Sequence, residues 1–139
     1  MADTILFELV SPEALLASEH VDMVVVPGEA GYFGVQRDHA PTMSALQPGL
    51  IEIHQKGQLD RRLFVAGGFA QVDGDCCTIL ADEAKPFDDL VKEGPELANQ
   101  AQHLREDIAD AADEQKRQHL TERLALIEAK QELLRLHGA

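Results

Sequence analysis

Two kinds of hydrophobic rhythm divide the chain. From Thr4 to about Ala84, short apolar runs alternate with polar positions and are broken by turn residues. Ile5, Phe7 and Leu9 take every second position against Leu6, Glu8 and Val10, the period of a strand with one buried face. Ser11-Pro12-Glu13 follows as a type I turn with proline at its second position. Val21, Met23 and Val25 are expected to share one strand face that ends at Pro27-Gly28, and a turn cluster precedes the run from Tyr32 to Val35. Ile51 and Ile53 alternate before Lys56-Gly57, and Leu63 to Ala66 leads through Gly67-Gly68 to the run Phe69 to Val72. Asp73-Gly74 signals a tight hairpin into Cys77-Thr78-Ile79-Leu80. Short strands at regular spacing, with no helical period between them, predict a sandwich or a barrel.

Beyond Ala84 the rhythm changes. Lys85-Pro86 and Glu93-Gly94-Pro95 punctuate a connector, and from Glu96 no Gly or Pro occurs until Gly138. Leu97, Ala101, Leu104, Ile108 and Ala111 recur at steps of three and four, one helical face. Leu120, Leu124, Ile127 and Leu134 repeat it, with Gln131 in the remaining slot. Asp110 and Asp113 stand where they can cap the second helix and favour its positive end. So short a joint predicts an antiparallel helical hairpin, giving domains 1–86 (β) and 87–139 (α). The first helix buries mostly alanine, so the hairpin is expected to lean on the β module or on a partner.

Composition narrows the function. The 139 residues include 45% hydrophobic ones, enough for a packed core, and 25 acidic against 12 basic residues give a formal charge of −13. That balance opposes phosphate-backbone binding, and 4% aromatics without Trp supply no stacking platform, so nucleic acid is not an expected partner. The start, MADTILFELVSPE, has no basic n-region, and no run approaches the roughly 20 apolar residues of a membrane span. A soluble chain is expected, able to dock on something in a membrane. Cys76 and Cys77 are neighbours; on a strand they face opposite ways, which suits inert thiols in a reducing compartment.

Several residues invite chemical readings. Asp38-His39, set in GYFGVQRDHAP, could be half of a catalytic site, but no orienting third group or Ser/Cys nucleophile accompanies the pair. Pro41 drives the residue before it out of the α region, so His39-Ala40-Pro41 reads as the extended exit of a loop. Gly67-Gly68 precedes neither a helix start nor a lysine, so close backbone approach fits it better than a phosphate cradle. The histidines lack metal-ligand spacing; His103 and Asp107 form an i,i+4 surface pair, and neither metal nor cofactor is expected. Lys116, Arg123, Lys130 and His137 recur every seven residues within the apolar face of the second helix. Either their stems cover apolar surface with the charges in water, or that face meets acidic loops on a partner.

The blocks GYFGVQRDHAPTMSALQPGLIEI (31–53) and VAGGFAQVDGDCCTILADEA (65–84) together resemble the epsilon subunit of F-type ATP synthases. They match its Gly-rich turn, its H-A-P, its K/Q-P-G-x-I/V-x-I strand, its G-G-F/I-x-E/Q-V strand and its T-V/I-L-A-D ending. The likeness is specific over 1–84 and compositional over 87–139. It implies a ten-stranded β-sandwich followed by an antiparallel two-helix hairpin. It implies a non-catalytic rotor subunit that joins gamma, in the central stalk, to the polar loops of the membrane c-ring. Location would be peripheral, on the cytoplasmic face of the inner or plasma membrane, through the complex alone. Many bacterial relatives also brake ATP hydrolysis by raising the hairpin, so an inhibitor is the alternative reading.

By resemblance, residues 28–40 form a rigid protrusion, with Gly28, Glu29, Ala30, Gly31 and Tyr32 touching the c-ring. Asp38, His39 and Pro41 would order that loop from beneath, Gly67, Gly68 and Phe69 would face gamma, and Lys116, Arg123 and Lys130 would meet the catalytic alpha/beta head. Tyr32 stands where relatives often carry an acid. Nucleotide-sensing relatives open the hairpin with I/L-D-x-x-R-A; here Val91, Gly94 and Pro95 replace Asp, Arg and Ala, so ATP binding by this chain is not expected. The rival readings are a small hydrolase built on Asp38-His39 and a free-standing β-sandwich binding module.

Overall fold

The computed structural model describes residues 4–138. Ten strands come first: β1 (Ile5–Val10), β2 (Leu15–Val21), β3 (Met23–Gly28), β4 (Gly31–Val35), β5 (His39–Ala45), β6 (Gly49–Gln55), β7 (Gln58–Ala66), β8 (Phe69–Gly74), β9 (Cys76–Leu80) and β10 (Glu83–Pro86). Three helices follow: α1 (Phe87–Lys92), α2 (Gly94–Asp110) and α3 (Glu114–His137). The strands form two five-stranded sheets, ordered β2-β1-β9-β8-β5 and β10-β7-β6-β3-β4. Among the described residues no strand ladder closes one sheet onto the other, so the fold is the sandwich rather than the barrel. The chain divides into two compact units, one ending at Phe87 and the other beginning at Asp88.

Alternation decides the sandwich core. Ile5, Phe7 and Leu9 of β1, Ala70 and Val72 of β8, and Cys77 and Ile79 of β9 point inward from the first sheet. Val24, Val26, Ile51, Ile53, Leu63 and Val65 meet them from the second. The expected face Val21-Met23-Val25 does not exist as one face. Val21 closes β2 in the first sheet, and the chain changes sheets at Asp22, so Val24 and Val26 become the buried pair of β3. Asp22 anchors that crossing: its N–H donates to the His54 carbonyl (3.3 Å) and its carboxylate accepts from the Lys56 N–H (2.6 Å). Lys56 and Gly57 both take positive φ, 55° and 76°, and form the two-residue turn of the β6–β7 hairpin.

The β8–β9 hairpin forms with its turn one residue later than the sequence suggests. Asp73 pairs with Cys76, so Gly74-Asp75 are the loop residues, and Gly74 takes the positive φ (59°) that the first position of a type II′ turn requires. Helix α1 was not anticipated in the connector, because six residues are too short to display a 3.6-residue period. Phe87 and Leu90 are nevertheless buried. In the helical unit, Leu104, Ala111 and Leu120 form a shared core with Ile108, Leu124 and Ile127 packed against it. Asp113 caps α3 as expected, its carboxylate accepting from the Lys116 N–H at 2.7 Å.

Cys77 is fully buried and Cys76 half-exposed, as strand alternation requires. Burial, with a smaller contribution from Cys76, pushes the Cys77 thiol up from 9.0 to about 12. A thiol-specific reagent at neutral pH is therefore expected to modify Cys76 alone in the native chain and both cysteines in urea. The raised value also has a stability consequence. The neutral-thiol contribution is complete below pH 9.0 and is lost as pH climbs toward about 12. Cys77→Ala should flatten that alkaline decline in a urea-midpoint titration.

Candidate functional site

The residues singled out in the sequence separate to two ends of the sandwich. At one end, β3 and β4 are joined by the turn residues Glu29 and Ala30, with Gly28 paired to Gly31. Gly28 has no room for a side chain: a Cβ would stand 2.8 Å from the Gly31 carbonyl oxygen and from Phe33 Cε1. The turn itself is exposed. Its base is bonded to the chain leaving β5. The Glu29 N–H donates to the Ala45 carbonyl (2.8 Å), the Gln47 N–H to the Pro27 carbonyl (3.0 Å) and the Gln47 Nε2 amide to the Gly28 carbonyl (2.8 Å). The half-exposed Tyr32 side chain is drawn over Gly49, its hydroxyl 3.4 Å from the Leu50 nitrogen.

Leu46 continues this junction into the other sheet. It bridges to Gly28, and its N–H donates to the Gly68 carbonyl at 3.0 Å. Gly67 and Gly68 take φ of 72° and 91°. A Cβ on Gly68 would overlap the backbone of Leu80 and Ala81, at 2.8 Å from the Leu80 carbonyl carbon and 2.9 Å from the Ala81 Cα. The glycine pair is thus demanded by close approach within the chain itself.

Beside the pair lies an apolar row. Register places Ala45 opposite Phe69, Phe69 opposite Leu80, Leu80 beside Val10 and Val10 opposite Leu15, across all five strands of the first sheet. Phe69, Leu80 and Leu15 are 54%, 51% and 58% exposed. Three large apolar side chains aligned and open to water are the feature of a surface that informs most about binding. Phe69 was anticipated; Leu15, Val10 and Leu80 were not, because their sequence positions are far apart and only cross-strand register aligns them.

Asp38, His39 and Pro41 lie at the opposite end. His39 pairs with Gly74, the Asp38 N–H donates to the Gly74 carbonyl (3.2 Å), and Arg37 pairs with Asp75 at 3.5 Å. Asp38 takes φ of 66° in the turn that carries the chain from β4 into β5. His39 Nδ1 lies 2.8 Å from the Ala40 carbonyl, to which it donates, and its ring sits 6.3 Å from Phe33. Among the described residues no hydrogen bond joins Asp38 to His39. Residues 28–40 are therefore not one protrusion but strand β4 with a turn at each end, about 13 Å apart at 3.3 Å per residue. Among the described residues no hydrogen bond runs from Asp38, His39 or Pro41 to the 28–32 turn, and His39 reaches it only through the Phe33 ring, which lies against Gly28. Gln47 bonds the turn directly, through a contact spanning 19 positions that no local pattern discloses.

The three helical cations also separate. Lys116 is exposed at the start of α3 and Lys130 is buried, 6% exposed. Arg123 lines a cleft of about 280 Å³ between α2 and α3 with Gln100, His103 and Asp107. The three therefore differ in exposure along α3, and Lys130 lies among its buried positions with Leu120 and Leu133. Among the described residues, no group of three or more His, Cys, Asp or Glu could hold a metal ion.

The family described as "ATP synthase, Delta/Epsilon chain, beta-sandwich domain" matches residues 4–87. The ATP synthase epsilon chain of Rhodospirillum centenum is 48% identical over 137 residues, covering 96% of this chain and 94% of that one. That of Rhodospirillum rubrum is 46% identical over 129 residues, covering 93% and 95%. A chain in the Euglena gracilis mitochondrial ATP synthase structure (OSCP/F1/c-ring) shares the fold at TM-score 0.76, with 24% identity over 99% of this chain and 84% of that one.

Two outcomes follow from the geometry. Gln47→Leu should accelerate amide exchange at Glu29 about five-fold, the equivalent of one hydrogen bond, while Gln47→Lys, which keeps a donor, should restore protection. Gly68→Ala should cost about 3 kcal/mol in urea unfolding, whereas Gly57→Ala, strained in φ but facing open space, should cost about 1 kcal/mol.

Proposed function

The chain belongs to the delta/epsilon chain family of the ATP synthases, and from that membership we propose that it is a non-catalytic central-stalk subunit linking gamma to the membrane c-ring. The observation that carries this reading is the shared end of the sandwich. The exposed turn Gly28–Tyr32 and the apolar row through Phe69 and Leu80 are joined by the backbone bonds of Ala45, Leu46 and Gln47. In this reading the apolar row takes the face of gamma and the turn meets the polar loops of the ring.

Such a part transmits load; it makes and breaks no covalent bond. Its requirement is stiffness between two contacts, and ladder hydrogen bonds within each of the two packed sheets supply it. Two glycines that must be glycine, and a turn fixed by main-chain donors, leave little play between the contacts. Among the described residues no helix is long and apolar enough to cross a membrane. The proposal places the membrane contact in the ring loops alone.

The full chain mixed with gamma from the same source is expected to elute as a one-to-one complex by size exclusion with light scattering. Inserting two glycines between Glu29 and Ala30 should leave that complex intact. In the reconstituted synthase it should lower ATP-driven proton pumping several-fold relative to hydrolysis. Failure of the native chain to bind gamma would remove the rotor assignment. Full pumping by the insertion variant would remove the ring contact from the turn.

A further inference from the structure

The apolar row ends in a cleft. Val10 and Pro12 from the end of β1, Gly68 and Phe69 from the glycine turn, and Leu80 and Asp82 from the end of β9 enclose about 320 Å³. The walls are apolar and the rim is not. Asp82 is exposed and lies against Gly67, filling the place a side chain there would take. Among the described residues no hydrogen bond or ion pair engages it. Ser11, buried in the lining, is already committed, its hydroxyl within 3.2 Å of Glu13 Oε2 and 3.4 Å of the Ala14 carbonyl oxygen.

We infer that this cleft seats a basic side chain of gamma, its aliphatic stem against Phe69 and Leu80 and its cationic head on Asp82. The inference rests on the rotor reading above and specifies its gamma contact. A long basic residue is the side chain that is apolar along its stem and charged only at its tip, the same order of polarity as the cleft. Arginine fits best: its guanidinium stacks on an aromatic ring and pairs in bidentate fashion with a carboxylate. The direction of charge agrees, since a chain of formal charge −13 draws a cationic surface toward it. The cleft is also continuous with the apolar row, so the cation would dock at the rim of that contact, on an exposed carboxylate whose attraction salt screens.

The test compares the affinity of full-length chains for gamma across 50–300 mM salt. The variants are Asp82→Asn and, as a control for charge alone, Asp73→Asn at the other end of β8. Chain alone is followed by light scattering, and thermal unfolding verifies that each variant is folded. Asp82→Asn should weaken gamma binding at least about ten-fold at low salt and flatten the salt dependence, while Asp73→Asn stays within about two-fold of the native chain. Phe69→Ser should weaken binding with the salt slope retained. Equal affinities for Asp82→Asn and Asp73→Asn, with native binding intact, would overturn the cleft assignment and leave the rotor reading standing. No native binding removes both. A self-associating chain that Asp82→Asn makes monomeric, at unchanged gamma affinity, would place a second copy in the cleft and overturn the proposal.

Discussion

The arrangement of the β unit turns on one strand exit. As β5 ends, three successive residues bond to two different segments: the Ala45 carbonyl accepts from Glu29 and the Gln47 N–H donates to Pro27, both at the β3–β4 turn, while the Leu46 N–H donates to Gly68. These bonds cross between the two sheets, where the packed core by itself offers only non-directional attraction. Sheet faces slide more easily than ladders break, so this junction gives one end of the sandwich a defined geometry. The 28–32 turn and the Gly67–Phe69 segment inherit their positions from it.

The same junction explains why function here is a matter of surfaces. Polar side chains at this end are spent on holding backbone: Gln47 on Gly28 and Ser11 on its own turn. At the far end His39 is bonded to the next residue's carbonyl and Arg37 to Asp75. What stays open to water is an apolar row, an exposed turn and the carboxylate of Asp82. Those are the materials of a protein interface, apolar at its centre and charged at its rim.

Much of this was legible from local pattern. Period-two alternation located β1 and the opposite facing of Cys76 and Cys77; the three-and-four spacing located α2 and α3; Asp113 announced its cap. Those features depend on neighbours within a few residues, where backbone sterics and capping bonds act directly. The errors share a cause as well. Val21, Met23 and Val25 do not share one face, because a change of sheet at Asp22 resets which side is buried. The β8–β9 turn slipped by one residue because pairing register, not the Asp-Gly signal, fixes the loop.

The sequence by itself determined the two-part architecture, the strand and helix periods, and, through two motif blocks, the family. Tertiary structure alone decided which end of the sandwich each motif occupies. It put His39 and Glu29, ten residues apart, at opposite ends of β4, and brought Gln47 to Gly28, Leu46 to Gly68, and Leu15, Val10, Leu80 and Phe69 into one row. The physical reason is that strand order and register are set by packing two sheets face to face, a condition on the whole chain. No segment carries that condition in its own composition.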